Sequence, residues 1–187
     1  MDEAQIRIGT VLAGHIIWLS VAGLRLRHSG RNHWITAPGS WVIGWYPSLV
    51  WLPLLVAFFV RPWRVVLAPP APAAGLVLVV ASSLFAAWAM WSLGRAYGVR
   101  MDLFEGHRLK TDGPYRFVRH PVYLGIIGYH FGASFALESG FLLAVTVLFI
   151  VPYTALRSHV EDKVLAAGFG EEFEQYRSRT PSILPLR

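Results

Sequence analysis

The sequence contains no cysteine, which excludes a disulfide framework, a thiolate metal site and a cysteine nucleophile. Charge is scarce as well: Asp, Glu, Lys and Arg make up 15% of the 187 residues, where a soluble domain carries about 25%. Hydrophobic residues reach 55%, aromatic residues 14%, and mean hydropathy is +0.46. Too few polar side chains remain to coat a water-soluble globule of this size. The seven His show no HExxH or other metal-ligand spacing, so no metal is expected. No internal repeat or low-complexity segment divides the chain, and Pro69-Pro70-Ala71-Pro72 is too short to separate domains.

Long apolar runs stand in place of charge. Windows free of Asp, Glu, Lys and Arg cover residues 8–24, 32–60, 65–94, 120–137 and 139–156, and a membrane-crossing helix needs about 20 largely apolar residues. The chain therefore reads as a single, all-α, multi-pass membrane domain. Its five spans are expected at about 8–26, 41–60, 74–94, 121–137 and 140–156, with a C-terminal segment over 157–187. Only Glu138, Ser139 and Gly140 separate the last two windows, which predicts a tight antiparallel hairpin.

Basic residues give a test independent of hydropathy. Fourteen Lys and Arg fall after spans one, three and five, from Arg25 to Arg31, Arg95 to Arg119 and Arg157 to Arg187. Only Arg7, Arg61 and Arg64 fall on the other side. The positive-inside rule then puts the N-terminus outside and the C-terminus in the cytoplasm, in the inner membrane of a bacterium or the endoplasmic reticulum of a eukaryote. The net charge of +6 is topology first, and nucleic acid is not an expected partner. With no basic segment before span one and no small-residue cleavage site after it, that span reads as retained and not as a signal peptide. Trp34, Trp41, Trp45, Trp63, Trp88 and Trp91 lie near span ends and read as interface anchors.

Polar residues concentrate at 95–120 and 157–187, on one membrane face. Asp112-Gly113-Pro114 is a turn signal. Arg119-His120-Pro121 opens span four, with Pro where a helix gives up an unpartnered amide and His120 near the cap, whose free N–H groups receive polar or anionic ligands. Arg157 and Glu161 are four residues apart on one helical face. They read either as an ordinary surface ion pair or as a site for a zwitterionic ligand, the carboxylate holding an ammonium and the guanidinium a carboxylate. Val164, Leu165, Phe169, Phe173 and Tyr176 predict an amphipathic segment folded back on the membrane face. Gly168-Phe169-Gly170 is no dinucleotide fingerprint, lacking a preceding strand and a third Gly. His15 and His130, inside spans, read as neutral, hydrogen-bonded bundle residues despite the functional prior for intramembrane ionisable groups.

Gly113-Pro114-Tyr115-Arg116-Phe117-Val118-Arg119-His120-Pro121-Val122-Tyr123-Leu124-Gly125 resembles the G-x-Y-x-x-x-R-H-P-x-Y-x-G signature of the isoprenylcysteine carboxyl methyltransferases, relatives of the phospholipid methyltransferases. Arg157-x-x-x-Glu161-Asp162, then Phe169-Gly170-Glu171-Glu172-Phe173-x-x-Tyr176 and Pro185, is similar to the family's R-x-x-x-E-E…F-G-x-E-Y-x-x-Y…P tail, and His107-Arg108-Leu109-Lys110 to its H-x-L-V. Lys110, Asp162 and Phe173 depart from the pattern. The resemblance covers residue 95 to the end; spans one to three match only in hydrophobic character, and family members with additional N-terminal spans are longer.

The resemblance implies a membrane methyltransferase that uses S-adenosylmethionine and releases S-adenosylhomocysteine, its cofactor site lying between the span three to four connection and the C-terminal segment. It puts His107, Arg108, Leu109, Lys110, Tyr115, His120, Pro121, Val122 and Tyr123 around the cofactor, Glu161 on it, and Arg157 on the substrate carboxylate. It implies a lipophilic acceptor that arrives laterally from the surrounding membrane lipids, in this family a prenylated cysteine carboxylate. A phospholipid, thiol or other small acceptor on the same scaffold is the alternative; an NADPH-dependent sterol-type reductase and a non-catalytic scaffold are the readings from other classes.

Overall fold

The structure, a computed structural model, describes residues 2–27, 35–36, 45–60, 63–98, 102–103 and 106–184. Arg31, Trp34, Trp41, Arg61, Arg100, Pro185 and Arg187, which entered the reading above, lie outside the described residues.

Helices stand at all five expected positions. These are α1 (Glu3–Arg27), α2 (Tyr46–Phe59), α3 (Ala71–Leu93), α4 (Pro121–Ala136) and α5 (Gly140–Phe169), followed by α6 (Glu171–Arg179). Three of them, α1, α3 with its continuation to Ala96, and α5, are long and apolar enough to cross a membrane; α2 and α4 are shorter. Among the described residues the only strands are a two-residue antiparallel ladder, β1 (Ile35–Thr36) against β2 (Asp102–Leu103). The protein is therefore a helical membrane protein. Its outward faces are apolar, as at Ile16, Val77, Leu84 and Leu148, whereas a soluble helix would turn polar residues outward.

Proline and glycine set the helix ends. Pro lies at the first or second position of α2, α3 and α4, where its missing N–H leaves no unpaired donor and its fixed φ suits the helix. Expected span five and the fold-back segment are divided differently from the reading above. α5 continues without a break past the apolar stretch ending at Leu156, so Val164, Leu165 and Phe169 belong to it, and the turn comes only at Gly170. Gly170 has φ +52°, a conformation that costs a residue with a Cβ about 1 kcal/mol or more. Periodicity could not show this, because Val164 and Phe173 both point inward, from different helices. Within α5, Thr146–Ile150 forms a π-helical turn.

The bundle is drawn tightest where α3 meets α4. A Cβ added at Gly132 would stand 2.7 Å from the Val79 amide nitrogen, and one at Gly75 would stand 2.6 Å from that of Ala136, so these backbones touch with no side chain between them. Close approach through small residues is how helices associate in lipid, where the hydrophobic effect offers no gain from pairing. Val11, Val79, Leu54, Ala133 and Leu142 form one buried cluster in the half nearer Glu138; Val50, Ala86, Met90 and Tyr123 belong to a second, toward the other end.

One end of the bundle is closed by Glu138. Its carboxylate accepts from Arg7 at 3.1 Å, Arg64 at 3.5 Å and the Leu67 amide at 3.1 Å, which gathers the start of α1, the α2–α3 connection and the expected α4–α5 hairpin. Arg7 and Arg64 thus meet on the face opposite Arg157. His130, fully buried, has its ring nitrogens 2.8 Å from the Ile126 carbonyl and 3.1 Å from that of Val50. The His15 ring packs edge-on against Trp51 at 4.1 Å and its Nδ1 has no hydrogen-bond partner. Trp45, Trp63, Trp88 and Trp91 are exposed.

Gly132→Val is expected to lower the thermal midpoint in detergent, corresponding to about 1–3 kcal/mol of overpacking, whereas Gly9→Val, at a position with open space around it, leaves it within error.

Candidate functional site: a polar cleft at one end of the bundle

Opposite Glu138, the ends of α1 and α3, the starts of α2 and α4, and the polar half of α5 surround a cleft. Trp18, Val50 and Trp51 line its apolar end, and His107, Leu109 and Lys110 come from the connection after α3.

The start of α4 is fixed by two hydrogen bonds from the main chain. The amide of Arg119 donates to the Pro181 carbonyl at 2.9 Å and that of His120 to the Ser182 carbonyl at 3.0 Å. The segment after α6 is thereby stitched to the first turn of α4. Phe173 and Tyr176 anchor α6 itself, and the Tyr176 hydroxyl donates to the Tyr115 carbonyl at 2.6 Å.

Side chains carry the connection on to α5. His120 donates through Nε2 to Asp162 at 2.8 Å, and its Nδ1 stands 3.6 Å from Glu161. Arg119 holds both Asp162 oxygens, at 2.7 and 3.4 Å, in the fork geometry that guanidinium offers a carboxylate. The Tyr123 hydroxyl donates to Glu161 at 2.6 Å and accepts from Nε of Arg157 at 2.7 Å. Arg157, only 4% exposed, also lies with its guanidinium 4.6 Å from the centre of the Tyr46 ring. A buried cation between two aromatic faces holds its charge without solvent.

These groups set each other's protonation. Burial alone would lower the His120 pKa, but the carboxylates of Asp162 and Glu161 outweigh it and raise the imidazole to about 9. Asp162, which burial would raise, is held at about 2 by His120 and Arg119. Glu161 is likewise held below its ordinary value, His120 opposing the effect of burial. His107 moves the other way: burial lowers its pKa, and Glu161 offsets only part of that. At neutral pH the cleft therefore presents the His120 imidazolium, the Glu161 carboxylate and the neutral His107 imidazole, with the Asp162 carboxylate bound to His120 outside its lining.

Of the residues expected from sequence, His107, Leu109, Lys110, Tyr115, His120, Pro121, Val122, Tyr123, Arg157 and Glu161 all line this cleft. Arg108 does not; it is exposed and outside the lining. Lys110, which departs from the family pattern, is paired with Asp112 at 2.7 Å, so its charge is balanced at the rim. Arg157 and Glu161 read from sequence as a direct ion pair or as separate ligand contacts, and the structure sets the Tyr123 hydroxyl between them. Tyr46, Trp18, Trp51 and Tyr97 were missed. They lie in or beside spans whose sequence shows only hydrophobicity, so no local signal marked them. Arg119 and Asp162 were visible as motif letters, but their pairing was not.

A helical membrane protein with a polar cleft at one end of the bundle is the class that fold and site define. The sequence pattern of phospholipid methyltransferases matches residues 71–172, and the chain belongs to that family. The chain is 35% identical over 82 residues to the protein-S-isoprenylcysteine O-methyltransferase of Schizosaccharomyces pombe, covering 44% of this chain and 35% of the relative. It is 42% identical over 82 residues to methanethiol S-methyltransferase 1 of Bradyrhizobium diazoefficiens, covering 43% and 27%. The protein-S-isoprenylcysteine O-methyltransferase of Rattus norvegicus is 27% identical over 170 residues, 90% of this chain and 56% of that one. The chain thus spans between about a quarter and just over half of these relatives. The solved structure of a eukaryotic intramembrane Ras methyltransferase, an isoprenylcysteine carboxyl methyltransferase, shares the fold with a TM-score of 0.59 and 18% identity over 81% of this chain and 54% of that one.

The pairing of His120 with Asp162 and Glu161 makes stability depend on pH. A pKa raised from 6.5 to about 9 on folding contributes stability that is complete below pH 6.5 and lost as pH rises through 9. Asp162, lowered from 3.8 to about 2, contributes stability lost as pH falls below 3.8. Thermal midpoints measured in detergent are expected to be flat between these limits and to fall from pH 6.5 to 9, and His120→Gln is expected to flatten the alkaline limb.

Proposed function

We propose that this chain transfers a methyl group from S-adenosylmethionine to a lipophilic acceptor, the C-terminal carboxylate of an isoprenylated cysteine, at the cytoplasmic end of the bundle, with its N-terminus outside. The observation that carries the reading is the convergence of Arg157, Tyr123 and Glu161 at 2.7 and 2.6 Å in one cleft, on the positions at which the family motif has its Arg, Tyr and Glu. Family membership and the curated relatives support it.

The residues present fit the cofactor. It carries an ammonium, a carboxylate, a sulfonium and an adenine, and the cleft carries an ionised Glu161, a rim Lys110 and the aromatic rings of Tyr97, Tyr115 and Tyr123. Glu161 would hold the ammonium, and the tyrosine faces would favour the sulfonium. His107, Leu109, Pro121 and Val122 would pack around the remainder. When bound, S-adenosylmethionine supplies an electrophilic methyl group.

Arg157 would receive the acceptor carboxylate, aligning it by two parallel hydrogen bonds. Tyr123 and Tyr46 hold the guanidinium in place, so alignment costs little further ordering. A carboxylate is ionised at pH 7 and needs no base. His120, kept protonated by its two carboxylates, could not serve as one at that pH.

A second reading, transfer to a small thiol, rests on the 42% identity with the methanethiol methyltransferase and on His107. A thiol must lose its proton, and His107 lines the same cleft with its pKa lowered, hence as a neutral base.

Calorimetry with S-adenosylhomocysteine tests the cofactor site. Binding is expected in the wild type, at least tenfold weaker in Glu161→Ala, and within about threefold of wild type in Arg157→Ala. Arg157→Ala is expected to cut kcat/KM for N-acetyl-S-farnesylcysteine at least 100-fold, the scale of a buried charge pair losing one partner. Absence of S-adenosylhomocysteine binding in folded protein overturns the methyltransferase; turnover of ethanethiol without turnover of the farnesylcysteine, lost in His107→Ala, selects the thiol.

A further inference from the structure

On the far side of α4 from the cleft runs a second, larger depression that no part of the proposed reaction uses. Its floor is Ile127 and Phe131 of α4; one wall is Val147, Val151 and Ala155 of α5; Pro181, Ile183 and Leu184 roof it. The π-helical turn at Thr146–Ile150 gives this wall its shape. An extra residue in the turn changes the phase of the helix, so Val147 is 47% exposed at the groove while Thr146 and Ile150 stay fully buried. At the polar end of the groove stand His159, Lys163 and Arg177. The carboxylates beside them are engaged: Asp162 by Arg119 and His120, and Glu174 by Arg177 at 3.3 Å. Lys163 makes no ion pair among the described residues.

We propose that this groove is a binding site for one phospholipid with an anionic headgroup, its acyl chains lying against α4 and α5 and its phosphate at Lys163 and Arg177. Length separates this occupant from others. Val147 and Lys163 are sixteen residues apart on α5, about 24 Å along the axis, and one leaflet with its headgroups measures about 20–22 Å. Polarity runs the same way as in a leaflet: apolar beside the spanning part of the helix, cationic only beyond Leu156. A peptide or soluble metabolite would leave the apolar length unfilled, and a neutral lipid would leave the cationic mouth unmatched.

The lipid is not the methyl acceptor. The bidentate Arg119–Asp162 pair is the partition between the two cavities, Arg119 lining both, and Arg157 is on the cleft side only. The inference stands independently of the methyltransferase reading.

Native mass spectrometry of the full chain released from detergent, with phosphatidylglycerol and phosphatidylcholine of identical acyl chains, tests it. Phosphatidylglycerol is expected to bind at least fivefold more tightly, about the factor for one basic residue near an anionic surface. Lys163→Gln combined with Arg177→Gln is expected to erase that preference while keeping phosphatidylcholine binding. Ala155→Trp, at an exposed position, is expected to fill the groove and reduce binding of both lipids. Equal binding of the two lipids by the wild type overturns the proposal, as does an undiminished preference in the double variant. Unchanged lipid binding by Ala155→Trp, with helicity retained, also overturns it.

Discussion

The His120 imidazolium, set between Asp162 and Glu161, is the contact on which the polar end of the protein depends. It joins the start of α4 to the last third of α5, and the neighbouring Arg119, sharing Asp162, donates to the Thr180 carbonyl just after α6. Without the imidazolium, Asp162 would still be held by Arg119, but Glu161 would keep only the Tyr123 hydroxyl. With it, both carboxylates have a cationic partner, and the network borders both cavities, Arg119 lining each. Stability and the proposed function are coupled here because His120 and Glu161, which tie the helices together, also line the cleft.

This coupling explains how a small helical bundle maintains a polar site without a metal cluster among the described residues and without any disulfide. The tight α3–α4 contact at Gly75 and Gly132 supplies rigidity in the apolar half, and Glu138 closes the other face. Those two constraints hold α4 against α3 and at its far end, and His120 and Tyr123 stand at its start. Preorganisation of this kind would suit the proposed transfer, in which aligning donor and acceptor is the main demand on the protein. The proposed lipid groove uses the opposite face of the same helix pair, so α4 separates a charged cleft from an apolar trough.

Much of this was legible in the sequence. The five apolar windows marked the helices, the Arg119-His120-Pro121 signature marked the start of α4, and the Arg157 to Glu161 spacing marked the polar half of α5. Tyr46, Trp18 and Trp51 were not legible, because a residue in an apolar span carries no sign of whether it faces lipid, a neighbouring helix or a cavity. The Arg119–Asp162 pair was not legible either, being forty-three residues apart, with only the folding of α6 and its tail against α4 bringing the two together.

By itself the sequence determined what the solvent demands: apolar lengths that suit a bilayer, proline where helices begin, glycine at the turn before α6, and charge at one end. These follow from local free energies of single side chains and short segments. Tertiary structure alone decided which charges meet, that Tyr123 stands between Arg157 and Glu161, that Arg108 stays outside the cleft, and that α5 runs unbroken past the membrane surface. Those outcomes depend on the packing of helices distant in sequence, for which hydropathy is nearly the same whichever way a helix is turned.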